Sequence, residues 1–153
     1  WQGIGAFLAR HPEYRYLFGP VSISAGLPLA ARDLLIAFYR LYFPATCQVA
    51  RSRHPYPASL PQHLQQFSGK DYQADLTRLK GLLDNLGCAI PTLYKQYSEL
   101  CEPGGVEFLD FGTDPAFADC IDGLVLVDLS RLKPQKRQRY IDIHSVSGEE
   151  AAA

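Results

Sequence analysis

Gly104–Leu129 reads GGVEFLDFGTDPAFADCIDGLVLVDL. Val106–Phe111 and Leu124–Leu129 are strongly patterned strand candidates, and the connector between them is dense in carboxylates and small residues. The stretch predicts a β-hairpin, in which Asp114 before Pro115 is a natural turn or cap acceptor and Asp122-Gly123 is a turn signal.

Working outward, Pro91–Cys101 predicts a helix with an apolar face of Leu93, Tyr94, Tyr97 and Leu100, closed by Pro103-Gly104-Gly105. Asp71–Gly87 predicts another through the stripe Tyr72, Leu76, Leu79, Leu82, Leu83 and Leu86. Between Pro44 and Lys70 four prolines and little periodicity predict a long loop, which is uncommon unless functional. Pro28 suits a first helical turn, so Leu29–Phe43 is expected to be helical. Its Leu34–Phe43 portion is apolar almost all round, with a thin polar stripe of Asp33, Ala37 and Arg40. A bilayer span needs about 20 apolar residues, so this helix is expected to be buried. Tyr14–Ser24 predicts a strand whose Pro20, lacking an N–H, belongs at an edge, bulge or splay. In Trp1–Arg10, Trp1, Ile4, Phe7 and Leu8 share one face of a helix that ends before Pro12.

With 47% hydrophobic and 20% charged residues, the 153-residue chain fits one globular domain. Fifteen basic residues nearly balance sixteen acidic ones, so no global field points to nucleic acid. Cys47, Cys88, Cys101 and Cys120 form no C-x-x-C and are expected to be buried thiols in a reducing, cytoplasmic compartment. The chain has no methionine and opens as if in mid-helix, which predicts a fragment, with a domain over 1–142 and a disordered tail over 143–153.

His11, His54, His63 and His144 show no zinc-ligand spacing, so no metal site is expected. There is no G-x-S-x-G elbow. Gly3-Ile4-Gly5 lacks the third glycine of a dinucleotide fingerprint, and Gly69-Lys70 lacks the upstream glycine of a phosphate loop. Five residues beyond the histidines stand Tyr16, Ser59, Ser68 and Glu149, so the His-x-x-x-x-Asp signature of glycerolipid O-acyltransferases is absent.

An ordered set of segments remains: Trp1-Gln2-Gly3-Ile4, then Leu17–Ser24 (LFGPVSIS), then Ile90–Tyr97 (IPTLYKQY), then Asp114, Phe117 and Asp122. In this order, over Trp1 to Tyr140, the chain resembles the bacterial N-acyltransferases that acylate ornithine and related amino acids, a branch of the GNAT superfamily. It also resembles hemolysin-like proteobacterial proteins that carry such a domain behind a glycerolipid O-acyltransferase domain. The resemblance implies an α/β (α+β) chain, the C-terminal half of a GNAT-like fold, with about three main strands and flanking helices. It implies direct transfer of an acyl group from the phosphopantetheine thioester of acyl carrier protein, or from acyl-CoA, to an amino-acid amine, without a bound cofactor. The family's pyrophosphate-binding turn falls upstream of Trp1, so this chain alone is expected to be inactive.

The resemblance makes Tyr97 the candidate proton donor to the leaving thiolate, against a plain core tyrosine. It sets Ser22 and Ser24 at a cleft where they meet pantetheine or the amine, against a strand end satisfying its own backbone. Lys95 is a candidate for a carboxylate or the carrier phosphate, and Asp114 for the substrate ammonium, while Asp122 is expected to make a turn. The basic run Arg131, Lys133, Lys136, Arg137 and Arg139 is a candidate dock for acyl carrier protein or for anionic lipid at the inner membrane. Two other readings stay open: a noncatalytic membrane-docking or interaction module using Leu34–Phe43 and the basic run, and a small-molecule acetyltransferase that uses coenzyme A.

Overall fold

The hairpin forms with longer strands than the pattern predicts. In the computed structural model, which describes residues 1–57 and 65–145, β2 (Val106–Asp114) and β3 (Cys120–Asp128) pair antiparallel from Val106↔Val127 to Asp114↔Cys120. Asp122-Gly123 is therefore inside β3, which corrects its reading as a turn. The chain reverses instead at Ala118 and Asp119, whose φ values of 52° and 53° suit the right-handed strand twist. Gly123 has a packing reason: a Cβ there would stand 2.8 Å from both Tyr94 Oη and a Phe111 ring carbon.

The remaining elements are α1 (Gln2–Arg10), β1 (Tyr16–Ile23), α2 (Leu29–Tyr42), α3 (Tyr72–Asn85) and α4 (Thr92–Ser98), with short helical turns from Leu129 to Ser145. β1 pairs with β3 to give the antiparallel order β1-β3-β2. Pro20 thus lies on an edge strand, where a missing donor is tolerated. This α+β arrangement is the one expected of a GNAT-like half fold. Of the expected tail, Ile143–Ser145 is helical and His144 Nε2 lies 3.0 Å from Gln2 Oε1; the rest falls outside the described residues.

One face of the sheet carries the core. Val21, Ile23, Phe108, Phe111, Ile121, Val125 and Val127 are all buried there. Tyr94, from α4, is fully buried among them and donates its hydroxyl to the Val21 carbonyl at 2.9 Å. Its ring stacks on Phe108 at 5.3 Å, Phe108 stacks on Phe111 at 5.3 Å, and Tyr39 of α2 meets Tyr94 edge-on at 4.9 Å. Leu93, expected on the same buried face of α4, is exposed.

As expected, α2 is buried, with Ala31 and every residue from Asp33 to Tyr39 inside. Of its polar stripe Asp33 and Ala37 are buried and Arg40 is half-buried, and both charged groups have partners. Asp33 accepts from the Tyr56 hydroxyl at 2.9 Å, and Arg40 lies 3.6 Å from Asp110 and over the Phe111 ring. Burial of Leu34–Tyr39 removes the face that a membrane-docking reading of this helix requires. Among the described residues no helix is long and apolar enough to cross a membrane.

After α2 the chain runs as a strap along the outer edge of β2. Phe108 N–H donates to Phe43, Thr113 N–H to His54, and Tyr56 N–H to Phe111, so the edge is covered rather than left open. Further on, Asp75 of α3 is only 4% exposed and accepts from the Tyr42 hydroxyl, the Ser68 and Gly69 amides and the Ser68 hydroxyl. Of the four cysteines, all free, Cys101 and Cys120 are buried, whereas Cys47 on the strap is exposed and Cys88 after α3 is half-buried. Peripheral backbone at those two positions explains the departure from four buried thiols.

Two measurements test this packing. Burial on its own raises the Asp75 carboxyl, but its hydrogen bonds outweigh that and hold it at about 2, against about 3.9 unfolded. A depressed folded value means stabilisation that is complete above about pH 4 and is lost as pH falls through about 2. In urea titrations, Asp75→Ala should cost about 3 kcal/mol at pH 7, and its gap to the parent should close as pH falls from about 4 to about 2; a gap constant with pH contradicts the assignment. Gly123→Ala should cost about 2 kcal/mol by overpacking, and pairing it with Tyr94→Phe should cost less than the sum of the two. Strict additivity would show that Tyr94 does not press on Gly123.

Candidate functional site

β1 has a cavity on one side and a groove on the other. Towards the core-facing side a half-open apolar cavity of about 310 Å³ is lined by Trp1, Ile4 and Phe7 of the α1 region, Leu17 and Phe18 of β1, Val125 and Val127 of β3, and Tyr97 of α4. The i to i+3 spacing within α4 puts Tyr94 into the core and Tyr97 at its margin. Tyr97 meets Trp1 edge-on at 5.2 Å, and the Trp1 indole N–H donates to Gln96 Oε1 at 2.9 Å, so α1 and α4 hold each other around the opening. Burial raises the Tyr97 phenol above its ordinary range, so the group carries its proton at neutral pH. The lining is apolar, and the protonated Tyr97 phenol forms part of its wall.

On the opposite face, a groove of about 490 Å³ runs between the strap and the far end of the hairpin. Its lining includes Arg51, Arg53 and His54 from the strap, Asp114 from β2, Asp122 and Leu124 from β3, and Pro20 from β1. Gly112 lets the strap come this close, since a Cβ there would lie 1.9 Å from Ser52 Oγ. Asp110 fastens the strap by accepting the Ser52 N–H at 2.7 Å.

The structure divides the expected site residues between these places. Tyr97 lines the apolar cavity, whereas Lys95, on the same helix, is exposed and is not part of its lining. Ser22 lies on the other face, where its hydroxyl donates to Asp122 Oδ1 at 2.6 Å. Ser24, just past β1, accepts from Gly26 N–H at 3.1 Å in the turn that follows. Asp114 ends β2, accepts from Ala116 N–H at 2.9 Å and lines the groove. Ser22 and Asp114 therefore share the open face, and the edge strand separates them from Tyr97. Among the described residues no three His, Cys, Asp or Glu side chains gather as a metal site.

Sequence reasoning missed Trp1 as a wall of the cavity and Arg51 and Arg53 as walls of the groove. The signal for the second was present as Arg51-Ser52-Arg53-His54, a basic run inside a loop too long to be a simple connection.

Two curated proteins align with nearly the whole chain. It is 23% identical over 146 residues to a glycine N(alpha)-acyltransferase of Phocaeicola vulgatus, an alignment that takes in 93% of this chain and 44% of that protein. It is 25% identical over 145 residues to a glycine N(alpha)-acyltransferase of Bacteroides thetaiotaomicron, with 92% of this chain and 42% of that protein covered. The chain thus spans less than half the length of these relatives. No protein-family model matches it, and no solved structure does. These distant relatives, both named acyltransferases, support an acyltransferase family for the chain.

Proposed function

We propose that this chain is part of an N-acyltransferase that moves a fatty acyl group from the phosphopantetheine thioester of acyl carrier protein, or from acyl-CoA, to the amine of an amino acid such as ornithine or glycine. The product is a lyso-aminolipid, made in the cytoplasm by a protein peripheral to the inner membrane. The observation that carries the reading is the alignment of more than nine-tenths of the chain with two proteins named glycine N(alpha)-acyltransferase. The apolar cavity supports it, because a fatty chain needs a dry wall, and so does a protonated tyrosine beside that cavity.

In the proposed reaction the neutral amine attacks the thioester carbonyl carbon, the C–N bond forms and the C–S bond breaks. Tyr97 gives its proton to the departing thiolate and is restored by the proton that the nitrogen loses, so one proton passes from nitrogen to sulfur overall. Holding the thioester against α4 supplies the proximity on which such direct transfer depends. No acyl-enzyme intermediate is part of the scheme. Acetyl transfer from coenzyme A differs in chain-length dependence, since a cavity lined by Trp1, Ile4, Phe7 and Leu17 favours a longer acyl group.

The test is an assay of the protein at its full natural length with long-chain acyl carrier thioester and either ornithine or glycine. A lyso-aminolipid should form, and Tyr97→Phe should lower kcat about 100-fold with little change in KM for the amine. No product with either amine would refute the proposal. Unchanged kcat in Tyr97→Phe would remove Tyr97 as the proton donor.

A further inference from the structure

The two outer edges of the sheet are treated differently. That of β2 is covered by the strap. On β1, the hydrogen bond from Leu129 N–H to the Arg15 carbonyl, at 2.8 Å, sets the phase of the ladder with β3. Hydrogen-bonded pairs alternate along an antiparallel ladder, so Leu17, Gly19, Val21 and Ile23 turn their backbone groups towards β3. Tyr16, Phe18, Pro20 and Ser22 turn theirs outward, and among the described residues no group pairs with them. The outer edge of β1 thus offers N–H groups at Tyr16, Phe18 and Ser22, and carbonyls at these positions and at Pro20, all in extended geometry.

Long free edges are ordinarily blunted by charge, by proline or by a cover. β1, YLFGPVSI, carries no charged residue, and Pro20 alone interrupts its row of donors. The side chains beside this edge are apolar and uncovered. Of the residues lining the apolar cavity, Val125 and Val127 are buried, whereas Ile4 and Phe7 are exposed and Phe18 is 75% exposed. The cavity therefore opens between α1 and the free edge of β1. Donors and acceptors in strand geometry beside apolar side chains are matched by another β-strand. Its backbone completes the ladder, its side chains on one face meet Ile4 and Phe7, and those on the other flank Phe18. A lipid surface on the same edge leaves the outward amides and carbonyls without partners.

We propose that the outer edge of β1 receives a β-strand from the part of the full-length protein outside these 153 residues, which extends the sheet beyond β1 and supplies the wall that the half-open cavity lacks. The relatives have chain to spare for such a strand, since the aligned region takes in 44% of one and 42% of the other. Pro20 has no N–H to give, so the added strand is held chiefly at Tyr16 and Phe18. The inference concerns how the sheet is completed and does not rest on the acyl-transfer reading.

The test is residue-resolved hydrogen exchange on the full-length protein without ligand, at several protein concentrations. The amides of Leu17, Gly19 and Val21, bonded to β3, are protected whatever covers the edge and report that β1 is folded. The Tyr16 and Phe18 amides should exchange about 100-fold or more slower than unprotected amides, to the same extent at every concentration. Exchange of these two at the unprotected rate, with Leu17 and Val21 protected, would overturn the proposal. Protection that is lost on dilution would overturn it in favour of a second copy of the protein on this edge. Protection gained only when a long-chain acyl phosphopantetheine is added would overturn it in favour of a ligand. None of these outcomes bears on whether lyso-aminolipid forms, so the acyl-transfer reading stands or falls by its own assay.

Discussion

Tyr94 reaching across Gly123 to the Val21 carbonyl is the contact on which the rest of the structure depends. It joins α4 to the edge strand through the middle strand, at the one position of β3 where no Cβ stands in the way. The ring that makes this reach is also the first of three stacked aromatics, Tyr94, Phe108 and Phe111, which bind α4 to β2. A buried hydroxyl without its partner costs about 1–3 kcal/mol, so the register between helix and sheet is narrowly set. Tyr97, one turn later, is placed at the cavity by the same geometry. A packing requirement in the core thus fixes where the Tyr97 phenol stands.

The edge strand does two things. Its core-facing side, with Leu17, lines the apolar cavity, and its open side, with Pro20 and Ser22, borders the charged groove. Only one strand separates an apolar compartment from a polar one. The strap from Phe43 to Tyr56 completes the polar side, covering the β2 edge and bringing Arg51 and Arg53 over the sheet.

Much of the fold was legible. Alternation announced the hairpin, the all-round apolar character of Leu34–Phe43 announced a buried helix, and Pro20 announced an edge strand, because in each case a local pattern and the tertiary environment agree. Asp122-Gly123 misled, since the pair that favours turns is here required by the closeness of Tyr94 and Phe111, a long-range contact invisible to local propensity. Strand lengths were underread for a similar reason: Gly112 and Asp114 are poor strand formers held in register by pairing with Asp122 and Cys120. The site was legible only in part. Tyr97 could be singled out from its helix, but which sheet face Ser22 occupies depends on the pleat and the pairing partner. The arginines of the strap depend on a path past Gly112 that no spacing rule encodes.

The proposed reaction requires the acyl donor to occupy the apolar cavity with its reacting sulfur beside Tyr97. A crystal structure of the full-length protein with a non-reactive thioether analogue of a long-chain acyl phosphopantetheine tests it most directly. The acyl chain should lie between α1, β1 and α4, with the analogue's sulfur within hydrogen-bond reach, about 3.5 Å, of the Tyr97 hydroxyl. An acyl chain bound elsewhere, with the cavity empty and Tyr97 remote from the sulfur, would contradict it.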